Sequence, residues 1–263
     1  MASIVTRVKQ KQIAQLIDEE KRLDGRDLTD YREMKIEQGI IEKAEGSARV
    51  LLGKTEVVVG IKIEMGEPFP DTPNEGVMTV NAELTPIASP AFEAGPPNEE
   101  SIELARIVDR GIRESKCIDT AKLVIEPGKK VFVVFVDIYV LNHDGNLIDA
   151  SALAAMTALL NTKMSNYEIK EGEVKIKPGY EQLPIRKHPI TITTAKIGNK
   201  LVVDPIFEEE QVMDARISFA IDDDENICAI QKGGSGYFEP QQVIEAAKIA
   251  KNKAKELRKK LNW

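Results

Sequence analysis

The chain has 263 residues, of which 42% are hydrophobic and 30% are charged, and its formal net charge is −7. This length and composition suit a globular protein of one large domain or two closely packed ones. No apolar run approaches the ~18 residues of a membrane span, so we expect no transmembrane helix and no membrane partner. The N-terminus lacks the apolar core of a signal peptide, which predicts a cytoplasmic protein.

Few residues are available for zinc binding or for serine-hydrolase chemistry. Cys117 and Cys228 lie far apart, and His143 and His188 are the two histidines. No CxxC pair and no G-x-S-x-G turn accompanies them. We therefore expect neither a metal site nor a cofactor-binding site, and we interpret both cysteines as buried thiols. Because the chain is acidic, any contact with RNA requires a local basic patch or a partner's positive charge.

The predicted elements begin with a helix over residues 1–21 and a turn at Asp24-Gly25. The segments MKIEQGII, SARVLLG and TEVVVGIKIE then predict three strands of a β-meander. A further strand, VMTVNAEL, lies between two long loops rich in Pro, Gly and Glu. Loops of this length in a compact domain are usually functional or form interfaces.

Helices and strands follow one another in the rest of the chain. SIELARIVDRGIRESK predicts an amphipathic helix, VFVVFVDIYVL a strand buried on both faces, and SALAAMTALLNTK an Ala-rich helix. KIKPGYEQLPIRKHPI carries three prolines and predicts a linker. Four short strands follow, in HPITITTAKI, KLVVDP, RISFAI and NICAIQKGG. A long basic amphipathic helix, QQVIEAAKIAKNKAKELRKKLNW, comes last.

Runs of strands with helices between them predict an α+β fold in two subdomains. We assign residues 1–30 to an N-terminal helix and arm, and residues 31–174 to a first subdomain. A linker over 175–189 then leads to a second subdomain over 190–263.

Five strings occur in order along the chain: RLDGRDLTDYR, GIIEKAEGSARVLLGKTEVVVGIK, IELARIVDRGIRESK, NHDGNLIDASALAAMTALLN and IQKGGSGYFEP. Together they resemble the RNase PH family over nearly the whole chain, and within it the archaeal exosome ring subunits that lack their own active site. The resemblance implies a ribosomal protein S5 domain 2-like β-α subdomain and a smaller C-terminal α/β subdomain. It also implies a hexameric ring of three heterodimers with a catalytic RNase PH-like subunit. RNA-binding cap subunits and RNA are the other implied partners.

Active members of this family cut RNA from its 3′ end with inorganic phosphate, and they hold that phosphate at a Gly-Ser-Arg or Gly-Thr-Arg turn. The residues at the matching positions here are Asn146, Leu147 and Ile148. Counting from Gly145 instead gives Asn146 and Leu147, so neither register supplies an arginine. Asp144 and Asp149 flank the turn and repel an anion. We therefore predict a structural turn that binds no phosphate, with Asp149 or Ser151 capping the helix.

Active members also need a pair of aspartates, of which the second is the general acid or a metal ligand. Aligned on Asp204, the pair becomes Glu210 and Arg216. A guanidinium neither binds a cation nor donates a proton near neutral pH. The neighbouring Asp214 leaves open a one-step shift of the alignment that would restore an acid. The run Glu208 to Glu210 is interpreted as a solvated face or, alternatively, an isolated acidic metal site.

The candidate RNA contacts lie on the helix that follows Asn98, its predicted cap. The resemblance places Glu99 and Glu100 where the catalytic subunit has an arginine pair that grips RNA. Further along, one face carries three arginines within about 60° of each other. These residues are Arg106, Arg110 and Arg113. The face is either solvated and paired with Glu103 or Glu114, or a phosphate-binding stripe at the subunit interface, and the resemblance favours the stripe.

The sequence therefore predicts a pseudo-enzyme: a non-catalytic ring subunit that completes its partner's active site and helps to position RNA for 3′-to-5′ phosphorolytic degradation. Phosphate and magnesium are expected in the partner and not in this chain. One alternative is that this chain is itself an active phosphate-dependent 3′-to-5′ exoribonuclease. Another is a scaffold without RNA contact.

Overall fold

The computed structural model describes residues 4–170, 173–261 and 263. The N-terminal half contains α1 (Ile4–Asp18), β1 (Met34–Gln38), β2 (Gly46–Leu52), β3 (Thr55–Gly66), β4 (Val77–Leu84), α2 (Glu99–Glu114), β5 (Val124–Glu126), β6 (Lys130–Asn142) and α3 (Leu147–Leu160). The C-terminal half contains β7 (Lys163–Lys170), β8 (Glu173–Gln182), β9 (Ile190–Ile197), β10 (Lys200–Val203), α4 (Phe207–Glu210), β11 (Ala215–Ile221), β12 (Ile227–Gly233) and α5 (Pro240–Leu261). The predicted first helix thus ends at Asp18, and its residues 1–3 lie outside the described part.

The first sheet has the strand order β1-β2-β3-β6-β4, with β5 paired to β6. Strands β1 to β3 pair antiparallel, which confirms the predicted meander. Strand β4 pairs parallel with β6, so the chain returns to the same end of the sheet through α2. Helices α2 and α3 cover one face of this sheet and form the main hydrophobic core with it.

Strand β6 is buried on one face, and the prediction of burial on both faces was wrong. Val134, Val136, Ile138 and Val140 are buried, whereas the alternate Tyr139 is 42% exposed. The apolar sequence of β6 wrongly suggested burial on both faces. Side chains of a strand alternate between the two faces of the sheet, and the core cluster covers one of them.

The second sheet has the strand order β10-β9-β11-β12, and helices cover both of its faces. Helix α5 packs on one face through residues that recur at helical spacing. They are Ala246, Ala250, Ala254 and Leu257. Helix α2 packs on the opposite face, where Gly111 lies against Thr191 and Ala220. A Cβ at Gly111 would lie 3.4 Å from the Thr191 hydroxyl and 3.5 Å from the Ala220 Cβ, in van der Waals contact, so α2 lies directly on the second sheet at this point.

The predicted linker over residues 175–189 was wrong in its first part, because β8 occupies Glu173–Gln182. It forms an antiparallel hairpin with β7, with a register irregularity between Ser165 and Tyr167. Pro178 is tolerated there because it lies between Ile176 and Tyr180, where the register is broken and the regular ladder is interrupted, and proline is accepted at such bulges. The prolines predicted a linker here, whereas the first part of the segment is a β-strand.

The two subdomains also meet where the turn before α3 lies against the start of α4. The amide of Phe207 donates to the carbonyl of Asp144 at 3.2 Å. Gly145 has a φ of +87°, and a Cβ there would lie 2.4 Å from the Pro205 carbonyl oxygen. Glycine is therefore required twice at this position, for its conformation and for its lack of a side chain.

Gly145→Ala should lower the free energy of unfolding by about 3 kcal/mol. Alanine would be strained at the positive φ of this position, and its Cβ would clash with the Pro205 carbonyl. Gly128→Ala is the matched control, because Gly128 also has a positive φ, +75°, but open space around it. The control should lose only about 1 kcal/mol. Denaturant midpoints measure both, and equal losses would contradict the close contact at Gly145.

Candidate functional site

Asn146 begins α3, and its groups are fully engaged by the protein itself. Its φ of 52° is left-handed, a conformation that asparagine tolerates better than most residues. Its side-chain oxygen accepts from the Asp149 amide at 3.4 Å. Its side-chain nitrogen donates to Asp149 and to Asp204, at 2.9 and 2.8 Å. The predicted cap at Asp149 or Ser151 was therefore wrong, because Asn146 combines the cap with the turn.

Glu210 takes the position of an anion at the start of this helix. Its Oε1 accepts from the Asn146 amide at 2.8 Å. Burial raises the pKa of Glu210 to about 7, opposed by the amide hydrogen bond from Asn146 and by the charges of Arg216 and Arg32. A helix N-terminus attracts negative charge, and here a carboxylate of the same chain supplies it.

Arg216 lies on β11, and its guanidinium is held by α2. Its Nη2 donates to Glu103 Oε2 at 2.5 Å. Gly233 packs against the same guanidinium, where a Cβ would be 2.9 Å from Cζ. Arg216 therefore ties α2 to the second sheet, and its charge is already compensated.

Four of the positions singled out in the two subdomains line one cavity of about 280 Å³. Leu147 and Ile148 enter it from α3, Glu210 from the end of α4 and Arg216 from β11. Asn146 is buried beside it and does not line it. The alignment thus brought together residues that are neighbours in space, although 68 positions separate Ile148 from Arg216 in the sequence.

Asp214 does not bring a carboxylate into this cavity. Its side chain accepts from the Gly198 amide at 2.9 Å, in the turn between β9 and β10. It does not line the cavity, whereas its neighbour Met213 does. The alternative alignment through Asp214 therefore receives no support from the geometry.

Glu208, Glu209 and Glu210 do not form the solvated run or the metal site that the sequence allowed. The side chain of Glu209 is fully buried and pairs with Arg22 at 2.6 Å. Glu208 is exposed, while Glu210 points to Asn146. The three carboxylates point in different directions because consecutive residues of a helix do not share a face.

The sequence reading missed a cluster of arginines on the N-terminal arm. Arg22 pairs with Glu209, while Arg26 and Arg32 pair with Asp204 at 2.9 and 2.7 Å. Arg32 also donates to the Asp144 and Gly145 carbonyls. Burial favours protonation of Asp204, but hydrogen bonds and the charge of Arg32 outweigh it and hold its pKa below the usual value. Recurring arginines in RLDGRDLTDYR were the one available signal, and they gave no indication of their partners.

The three arginines predicted to bind RNA lie on the exposed face of α2, with Asn98 as the helix cap as expected. Arg110 pairs with Glu114 at 2.6 Å, and Arg113 pairs with Asp109 at 2.6 Å. Arg106 is exposed and forms no ion pair within the described residues. Arg113 and Arg106 line a groove of about 450 Å³ between α2 and β4. The face therefore carries one uncompensated cation and two that form exposed, exchangeable pairs.

The cysteines differ in environment. Cys117 is fully buried, and burial raises the pKa of its thiol to about 12, whereas Cys228 is partly exposed. Across the described ranges, no three His, Cys, Asp or Glu side chains are grouped so as to hold a metal ion. In that same part of the chain, no helix combines the length and apolarity needed to cross a membrane.

Comparison with known families identifies the class. Residues 30–165 match domain 1 of the 3′ exoribonuclease family RNase PH, and residues 187–253 match its domain 2. The chain therefore belongs to the RNase PH 3′ exoribonuclease family, which confirms the resemblance and the two-subdomain fold.

The most similar relatives that we compared share one name, exosome complex component Rrp42. The protein of Thermococcus kodakarensis is 53% identical, over 99% of this chain and 95% of its own length. That of Pyrococcus horikoshii is 55% identical, over 97% and 94%. Among solved structures, an Archaeoglobus fulgidus exosome with RNA bound to the active site has a TM-score of 0.90 and 46% identity, covering 98% of this chain and 100% of that one. A chain of an archaeal exosome core has a TM-score of 0.87 and 43% identity, covering 99% and 98%.

Glu210→Gln should make the protein more stable at pH 8 than the unsubstituted chain. The folded pKa near 7 exceeds the ordinary value of 4.5. The native state therefore binds more protons, and stability falls as pH rises from about 4.5 to about 7. Glutamine keeps an acceptor for Asn146 without the buried charge. We expect a gain on the order of 1 kcal/mol at pH 8 that disappears near pH 4.

Denaturant unfolding at the two pH values measures this difference. Glu208→Gln is the matched control, because Glu208 is an exposed neighbour on the same helix. If the Glu210→Gln protein is less stable at both pH values, the prediction is wrong, because the charge of Glu210 would then stabilise the folded state.

Proposed function

We propose that this chain is a non-catalytic subunit of an exosome-type ring, in which it pairs with a catalytic RNase PH-like subunit. The observation that carries the proposal is the contact between Glu210 and the Asn146 amide. A phosphate held at this turn would need that amide, and the chain's own carboxylate uses it. Arg216 also supports the proposal. It occupies the position where active members of the family are expected to have an acid, and its guanidinium is hydrogen-bonded to Glu103.

The proposed partners follow from the relatives' names and from the missing chemistry. Phosphate and magnesium would be bound by the catalytic subunit, and this chain would complete that subunit's site through their shared interface. The ring would be a trimer of heterodimers that also carries RNA-binding cap subunits. A cytoplasmic location is part of the same proposal.

The contribution to RNA is a set of phosphate contacts from Arg106, Arg110 and Arg113. Arg106 is available at once, because no carboxylate compensates it within the described residues. The pair of Arg110 with Glu114 is roughly half exposed, and such pairs are worth about 0–1 kcal/mol. An RNA phosphate can therefore replace Glu114 at little cost. Replacing Asp109 costs more, because Asp109 is only 23% exposed and the same Arg113 nitrogen also donates to the Met78 carbonyl at 3.0 Å.

We expect that this chain alone, incubated with RNA, phosphate and magnesium, releases no nucleoside diphosphate. The mixture with the catalytic subunit should release it faster than that subunit alone. Chromatographic measurement of the released diphosphates decides the matter. Phosphorolysis by this chain alone, abolished by Glu210→Gln, would instead establish the alternative of an active exoribonuclease.

The second expectation concerns the arginines. In the assembled complex, Arg106→Glu with Arg110→Glu and Arg113→Glu should weaken RNA binding at low salt by about tenfold or more, and the loss should shrink as salt rises. Lys35→Glu with Lys129→Glu is the control, since both lysines are exposed and each has an acidic partner. Equal RNA affinity of the arginine variant and the control would favour a scaffold without RNA contact.

A further inference from the structure

Helix α5 is a strongly cationic element in an acidic chain. Over Pro240–Leu261 it contains seven Lys or Arg residues and two Glu residues. Four lysines recur at spacings of three, four and four, which places them within about 80° on one side of the helix. They are Lys248, Lys251, Lys255 and Lys259. This side faces away from the buried stripe of Ala246, Ala250, Ala254 and Leu257.

Three of these four lysines form no ion pair with any residue that the structure describes. Lys255 pairs with Glu225 at 3.2 Å. Lys248, Lys251 and Lys259 form no ion pair within the described residues. Other acidic groups nearby are already compensated, because Lys187 pairs with Asp222 at 3.4 Å and also with Asp224, and Arg258 pairs with Asp223 at 3.5 Å. The uncompensated positive charge of this region therefore lies on the lysine side of α5.

A groove beside three of these lysines contains the single tryptophan of the chain. Its volume is about 220 Å³, and the partly buried Trp263, which packs on one side against the core, lines it together with Lys251, Lys255 and Lys259. Arg258 and three carboxylates, Asp222, Asp223 and Glu225, also line it, and each of these carboxylates is paired with a cation. Cavities that enclose whole drug-sized ligands are larger, about 300–1,000 Å³. The groove therefore suits one flat group, such as a nucleobase, and leaves the rest of a ligand along the helix.

This surface is separate from the arginine face of α2. Helix α5 packs against Ile190, Ile192 and Phe219 of the second sheet. Helix α2 meets the opposite face of the same sheet, at Thr191 and Ala220. Residues one apart in a strand point to opposite faces. One RNA segment bound on α2 therefore cannot account for the lysines of α5.

We infer that the α5 surface is a second binding site for single-stranded RNA. The lysines contact successive phosphates, and one base stacks on Trp263. Surfaces that bind single strands without sequence preference combine these two features, a cationic track and an aromatic platform. An acidic protein segment would use the lysines but would leave the indole without a flat partner, which is why RNA fits better.

The indole provides a direct test on the complete chain, because it is the sole source of tryptophan fluorescence. An oligoadenylate of about ten nucleotides lies within the site sizes of such surfaces. We expect it to quench this fluorescence at low salt. Lys251→Glu with Lys259→Glu should weaken the affinity about tenfold and make the salt dependence shallower by about 1.4 logarithmic units per decade, for two lost phosphate contacts.

Three comparisons make the result decisive. The variant with Lys35→Glu and Lys129→Glu has the same net charge and should bind normally. The variant with the three α2 arginines replaced should still show quenching, which separates this site from the proposed function. Lys251→Gln with Lys259→Gln should weaken binding too, in case two glutamates disturb the helix. No quenching, or equal loss in the control, would overturn the inference. Equal quenching by polyglutamate would assign the surface to an acidic protein instead.

Discussion

The buried carboxylate of Asp204 holds the rest of the structure in place. It accepts hydrogen bonds from Arg26, Arg32 and Asn146, and so it joins the N-terminal arm and the start of α3 to the second subdomain. A buried charge of this kind is tolerated only because every approach to it is filled by a donor. Removing one partner of such a cluster typically costs about 3–5 kcal/mol, since the other charges stay buried. Asp204 therefore contributes strongly to fixing the relative position of the two subdomains, together with the contact between Arg216 and Glu103.

The same cluster explains how a turn at a helix N-terminus, which typically binds anions, can instead connect the two subdomains. The turn before α3 has a buried glycine with positive φ and lies at a helix N-terminus. Carboxylates of the chain, from Glu210 and Asp204, now use the donors of Asn146. Carboxylates of the chain itself therefore occupy the N-terminus of α3, and the turn forms a contact between the two subdomains.

Sequence patterns located most elements, and their failures have identifiable causes. The meander and the amphipathic α2 were predicted because alternation and helical spacing are local properties. Strand β6 was misread because its apolar run does not reveal which face a helix covers. Strand β8 was missed because Pro178 indicated a linker, although a break in the register of a hairpin accepts proline. At the site, the sequence singled out Leu147, Ile148, Glu210 and Arg216, which the structure brings to one cavity, but it did not indicate the cap at Asn146 or the arm arginines.

The sequence by itself determined the family, the order of the elements and the absence of an arginine at the turn before α3. Those properties follow from residue identity and spacing, which are read along the chain. Only the tertiary structure decided the partners: Glu210 with the Asn146 amide, Arg216 with Glu103, and Arg22 with Glu209. These pairs join residues that are between 64 and 187 positions apart. Electrostatic energy depends on distance and burial, so the chemistry of each charge was settled only when folding brought its partner beside it.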